Sequence, residues 1–174
     1  MRALAALRRI GDARSRALLE RVLLDRELGD VERVAAATEL GTLGDPASEA
    51  ALGAALTSDS GEVRTAALEA ALSVFRTDRT RAYMLALPSR WTDVSGPAAA
   101  YLAQHGEPAT IVAQLGALAD DLRRGLREGL VRRAAFPTDA LAAALADADP
   151  RARVEAAWLA GAAGAVALAP AIAA

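Results

Sequence analysis

A unit of about thirty residues recurs along this chain of 174 residues, and any fold must satisfy that period first. The clearest copy runs from Arg33 through the alanines 35–37 to Leu40, Leu43, Gly44, Asp45 and Pro46. Thirty-three residues earlier, Ala3, Leu7, Ile10, Gly11 and Asp12 stand at the places of Ala36, Leu40, Leu43, Gly44 and Asp45. Thirty-one residues later, Val63, Arg64, Ala66 and Ala67 repeat the start of the unit. Sixty-two later come Leu102, Gly106, Glu107 and Pro108; 120 later come Arg153, Val154, Ala156, Ala157 and Gly164. Alanine bias alone does not produce these matches, because arginine, glycine, aspartate and proline recur with the alanines.

Each unit reads as two helices. The first is about twelve residues long, with apolar positions at i, i+4 and i+7, as in Ala36, Leu40 and Leu43. Gly-Asp-Pro or a variant ends it: glycine suits the carboxyl-terminal cap, and proline opens the next helix. A second apolar stripe follows, such as Leu18, Leu19, Val22 and Leu23, and then a short polar loop such as 57–61. The pairs fall roughly at 1–30, 31–61, 62–92, 93–119, 120–149 and 150–174, the fifth being least regular because Pro137 separates its helices. Alanine supplies roughly a quarter of the residues and aromatic side chains only 3%. A core of such small groups favours an all-α fold, since alanine is the best helix former and is depleted in strands.

The repeat resembles the short bacterial HEAT-type repeats first described in phycobilin lyases, most clearly over 31–76 and 149–164. The resemblance implies one HEAT-like repeat domain over 1–174, a right-handed α-solenoid of about six stacked pairs. Neither end shows a polar capping unit, and the last helix, 165–174, has no charge. That is expected of a piece of a longer array, and it leaves self-association through uncapped ends open. The resemblance also implies a structural ladder in which Arg33, Arg64 and Arg153 bond aspartates such as Asp45, Asp59 and Asp149. Arg64 is then expected to meet Asp59 or Asp45, and Arg153 to meet Asp147 or Asp149.

Chemistry is sparse. There is no cysteine, so thiolate nucleophiles, thiolate metal sites and disulfides are excluded. The single histidine, His105, is followed by Gly106, which excludes the paired His-Glu motifs of the HEAT-like deoxyhypusine hydroxylases. No nucleophile elbow or phosphate-cradling glycine loop is present. His105 is expected to be a partly buried packing residue. The pairs Asp120–Asp121 and Asp147/Asp149 are expected at helix starts, where carboxylates cap free amides and favour the helix dipole. No catalytic residue, metal ligand or cofactor is predicted, and the chain is not expected to be an enzyme. Residues 156–174 are uncharged and long enough to span a membrane, yet rich in alanine and glycine, so a buried helix pair is the expectation.

The net charge is −2, but it is unevenly spread: residues 1–26 hold seven arginines against three acids, and residues 27–62 hold eight acids against Arg33. Every basic residue is an arginine, as expected of a bacterium with an arginine-biased genome. HEAT-like solenoids present their second helices on the concave face. That places Arg14, Arg16, Glu20 and Arg21, then Ser48 and Glu49, then Arg79 and Arg81 near Tyr83, then Thr110 and Gln114, on the expected binding face. The expected occupant is an acidic helix or tail of another protein. Residues 88–97 interrupt the rhythm, and the loop expected there makes Trp91 a candidate anchor or a plug where the stack bends. The function expected is a non-catalytic protein–protein scaffold in the cytoplasm. One alternative is a nucleic-acid-binding or base-repair HEAT-like protein using Trp91, Asp93, Arg79, Arg81 and Arg90. A slightly acidic chain without lysine argues against nucleic acid as a partner. A second alternative is a lyase or chaperone-like subunit of the phycobilin lyase type.

Overall fold

The structure, a computed structural model, describes residues 9–10 and 12–173. Among the described residues there are helices and turns and no strand. The chain divides between Ser95 and Gly96 into two compact units.

In the first unit, α1 (Ala13–Leu24), α2 (Asp30–Leu43), α3 (Glu49–Ala55), α4 (Gly61–Val74) and α5 (Arg79–Ala86) follow one another, with a 3-10 turn at Pro46–Ser48. α2 packs along α4, while α1 meets α3 and α3 meets α5. First and second helices of the pairs thus form two layers. Their starts are fixed by side chains that cap free amides: Asp12 accepts from the Ser15 amide at 2.7 Å, and Ser60 accepts from Val63. Asp78 caps α5 through the amide of Arg81. Gly44 ends α2 with φ at +69°, a conformation that costs glycine little. Asp45 then caps the turn opened by Pro46. The Gly-Asp-Pro stop works as the sequence predicts.

The core between the layers is leucine and alanine. Leu19, Leu23, Leu40, Leu52 and Leu56 are fully buried, each contributing about 1.5–3 kcal/mol by leaving water. The small residues let the first helices approach closely. A Cβ at Gly41 would sit 2.8 Å from the Ala70 Cα, and the Ser73 hydroxyl donates to the Gly41 carbonyl at 2.8 Å.

The second unit contains most of α6 (Thr92–His105), then α7 (Pro108–Gln114), α8 (Asp120–Arg132), α9 (Thr138–Leu145), α10 (Pro150–Ala163) and α11 (Ala169–Ala173). Short 3-10 turns occupy Leu115–Ala117 and Val166–Leu168. α7 packs on α9, α9 on α10 and α11, and α10 on α8. Glu107 and Asp149 cap α7 and α10, each followed by a proline, of which Pro108 is the expected one. A Cβ at Gly129 would come within 2.6 Å of the Ala103 Cβ, the same close approach of first helices seen at Gly41. The fifth pair lacks a glycine stop: Ala134 takes φ of +49° instead.

Three expectations are corrected. The loop predicted over 88–97 is a turn that ends before Thr92; Gly96 and Pro97 lie inside α6, where the proline removes one helical hydrogen bond. Ser48 is fully buried, because the 3-10 turn rotates it inward. His105 is exposed, with its ring 4.6 Å from that of Tyr101 one helical turn earlier. Among the described residues no helix is long and apolar enough to cross a membrane, since α10 stops at Gly164. Asp120 and Asp121 lie in the first turn of α8, and Asp149 caps α10, as expected.

Candidate functional site

The recurring arginine of the first helices is buried at Arg33 and Arg64 and exposed at Arg153. It serves mainly as a clamp on backbone carbonyls at the preceding helix end. Arg33 donates from Nε to the Leu23 carbonyl at 3.1 Å and from Nη2 to the Ser58 hydroxyl at 3.1 Å. Arg64 donates from Nη1 to the carbonyls of Ser58 and Asp59, at 2.8 and 3.0 Å. Arg153 donates in the same way to the carbonyls of Asp147 and Ala148.

The carboxylates expected along the ladder have other partners. Arg64 bonds Asp93, not the side chain of Asp59 or Asp45: its Nε lies 3.1 and 3.0 Å from the two carboxylate oxygens. Asp45 receives Arg16 at 3.0 Å, and Asp59 receives Arg90. Asp149 accepts from the Arg151 amide and caps its own helix, leaving Arg153 without the predicted carboxylate. A side chain at the fourth helical position points back to the preceding turn, so the nearest acceptors are carbonyls. Its free edge then faces the next pair.

Three of the long-range ion pairs share a spacing. Arg16 pairs with Asp45 and Arg64 with Asp93, each 29 residues on, and Arg127 pairs with Glu155, 28 residues on. Arg90 and Arg81 instead reach acids 31 and 32 residues behind them, so the partner follows from the stacking register and not from one spacing.

Trp91 sits at the centre of the first such cluster. The guanidinium carbon of Arg64 lies 4.4 Å from its ring centroid and that of Arg90 4.9 Å. Its indole nitrogen is buried and donates to no group among the described residues. Hydrogen bonds from Arg64 hold the Asp93 carboxyl below the usual carboxylate range. The second unit repeats the arrangement: Arg123 and Arg127 converge on the nearly buried Glu155, and Arg127 stacks 4.1 Å from the Trp158 ring. Trp91 is thus the plug of a structural cluster rather than a tip on an irregular loop.

On the second-helix layer, the expected binding face is divided. Arg81 of α5 bonds Glu49 of α3, with Nε 3.1 Å from a carboxylate oxygen, and lies 4.8 Å from the Phe75 ring. Glu49 raises the Arg81 pKa through that bond. Arg16 is engaged by Glu20 and Asp45. Arg79 begins α5, and Tyr83 is half-buried one turn later.

Compared against protein-family profiles and curated proteins, the chain matches none.

A groove of about 890 Å³ lies between α1 and α3. Ala17, Leu18, Leu24, Ala50 and Ala51 line it, together with Arg21 and the acids Glu20 and Asp25. Leu18 and Leu24 are 44% and 42% exposed. Arg14 is exposed one turn before Leu18 on α1. The groove therefore offers apolar contact beside charges of both signs, with Arg14 and Arg21 as its basic groups.

Proposed function

We propose that the chain is a non-catalytic, cytoplasmic protein–protein interaction scaffold of HEAT-like pairs wound as a right-handed α-solenoid. On this reading it binds an acidic amphipathic helix or tail of another protein on its second-helix face. The observation that carries the reading is the groove between α1 and α3, where exposed Leu18 and Leu24 share the lining with Arg21. Large exposed apolar groups beside an arginine suit a helix with leucines on one face and glutamates beside them. The two-layer packing of helical pairs within each unit agrees with a repeat array. In the base-repair reading Asp93 would supply the catalytic acid; its bonds to Arg64 bear against that role.

The test is affinity capture from source lysate with and without nuclease, using the parent chain and its Arg21→Glu variant side by side. A stoichiometric protein that survives nuclease and is lost with Arg21→Glu supports the scaffold. Capture that disappears with nuclease contradicts it in favour of nucleic acid.

A further inference from the structure

The first helices carry a basic ridge in the second unit and an acidic groove in the first. On α10, Arg151, Val154 and Trp158 stand at i, i+3 and i+7 and share one face. Val154 is 65% exposed and Trp158 44%. Arg123 and Arg127 of α8 converge on the nearly buried Glu155 beside that face, and Arg127 stacks on the indole. Arg124 and Arg151 are exposed, and their side chains bond nothing among the described residues. Four arginines thus stand against Asp120 and Glu155, while Glu128 is taken up by Arg132 and Asp121 lies on the α6 side of α8. A further pair beside α10 would leave Trp158 and Arg151 uncovered. Thr38 and Val31, 120 positions earlier, are exposed although α4 packs beside α2.

Between α2 and α4 runs a groove of about 590 Å³, lined by Val34, Thr38, Glu62, Thr65, Ala66 and Glu69 among others. The exposed charges of these two helices are acidic, because their only cations, Arg33 and Arg64, are buried.

We propose that the ridge of Arg151, Val154 and Trp158 docks in the groove between α2 and α4 of a second copy of the chain. The indole and the valine enter against Val34, Thr38 and Ala66 of that copy, and the arginines meet its glutamates. The spacings agree. Glu62 and Glu69 are seven residues apart on α4, as Arg151 and Trp158 are on α10, roughly 10 Å along each helix at 1.5 Å per residue. With the ridge laid along the groove, Arg151 reaches one glutamate, and Arg127, stacked on the indole, reaches the other. Nη1 of Arg127 bonds Glu155, and its Nη2 bonds nothing among the described residues. Tryptophan and arginine are the side chains that most often anchor protein interfaces, and opposite charges fix the register. Because the ridge and the groove are different surfaces, the contact is heterologous and copies join head to tail. It does not involve the groove between α1 and α3.

Sedimentation equilibrium of the full chain, from low to high micromolar concentration, tests the proposal with two double variants at exposed positions. One carries Glu62→Arg and Glu69→Arg; the other carries Arg124→Glu and Arg151→Glu. The parent chain is expected to exceed the monomer mass. Each double variant alone is expected to associate about tenfold or more weakly, with its thermal melt at the parent temperature. An equimolar mixture of the two should associate again, because each supplies the face that the other lacks. Trp158→Ala should weaken association by a similar factor, and Leu18→Glu, in the other groove, should leave it unchanged. A parent chain that stays monomeric throughout overturns the proposal. So does association that survives either double variant or is lost with Leu18→Glu, or a mixture of folded variants that stays monomeric.

Discussion

The guanidinium of Arg64 packs 4.4 Å from the centroid of the Trp91 ring. The same group bonds Asp93 ahead of it and two carbonyls behind it, so one side chain ties the end of one pair to the start of the next. Arg127, Glu155 and Trp158 repeat the device in the second unit. An aromatic face, a carboxylate and an arginine form a compact joint because the planar guanidinium can stack and bond at its edge together.

Removing that joint should be costly. Arg64→Ala leaves the Ser58 carbonyl unpaired near the core and Asp93 without its cation, and is expected to destabilise the fold by about 3 kcal/mol. Arg64→Lys cannot meet carboxylate and carbonyls together and should recover less than half of that loss. Urea denaturation of the three proteins checks this. An Arg64→Ala protein within about 0.5 kcal/mol of the parent would contradict the assignment, because that is the range of ordinary surface substitutions.

The acid limb of stability should report Asp93. Hydrogen bonds from Arg64 lower its carboxyl in the folded state, so the folded chain binds fewer protons there than the unfolded chain. The stability it contributes is complete above the unfolded carboxylate value of about 3.9 and is lost as pH falls through the lower folded value. Amide bonds from Thr110 and Ala109 lower Glu107, and one from Ser15 lowers Asp12, adding to the same limb. Asp93→Asn should therefore be less stable at neutral pH and lose less on acidification. Thermal melts between neutral pH and the carboxylate range show it as a shallower slope; identical slopes would count against the ion pair.

Two glycines on α8 should respond oppositely to the same substitution. Gly129→Ala places a methyl within 2.6 Å of the Ala103 Cβ and should destabilise by about 1–3 kcal/mol through overpacking. Gly125→Ala meets nothing within 4 Å and should stabilise by up to about 1 kcal/mol through helix propensity. Denaturation midpoints that move in the same direction would contradict the packing of α8 against α6.

Much of this architecture is legible in the sequence, because its signals are local. The stop at Gly44, Asp45 and Pro46 uses residues whose backbone preferences act alone, so the helix boundary follows from them. Long-range pairings are less visible. Asp93 could not be matched to Arg64 from composition, because the choice depends on how far one pair is displaced along its neighbour. Pro97 misled for a related reason: it reads as a breaker, yet it lies inside α6, where it removes one helical hydrogen bond without ending the helix. Ser48 was misplaced because a 3-10 turn changes the angular step between residues and turns it inward, and His105 because it closes α6 and stands exposed beside Tyr101.

The irregular fifth pair offers a simple gain. Ala134 holds φ of +49°, where an L side chain is strained, and Ala134→Gly should stabilise the second unit by about 1 kcal/mol. A melt at or below the parent temperature would show that the strain is relieved elsewhere.

Binding of an acidic amphipathic helix between α1 and α3 is the central claim. Its most direct measurement is fluorescence anisotropy of a labelled peptide with leucine at every third or fourth position and glutamates between, titrated with the parent chain and with Arg14→Glu and Arg21→Glu. Saturable binding is expected, weakening with salt and falling by about tenfold or more when both arginines are reversed together, with the melting temperature unchanged. Peptide binding that ignores both arginines, or binding of duplex DNA in place of the peptide, would contradict it.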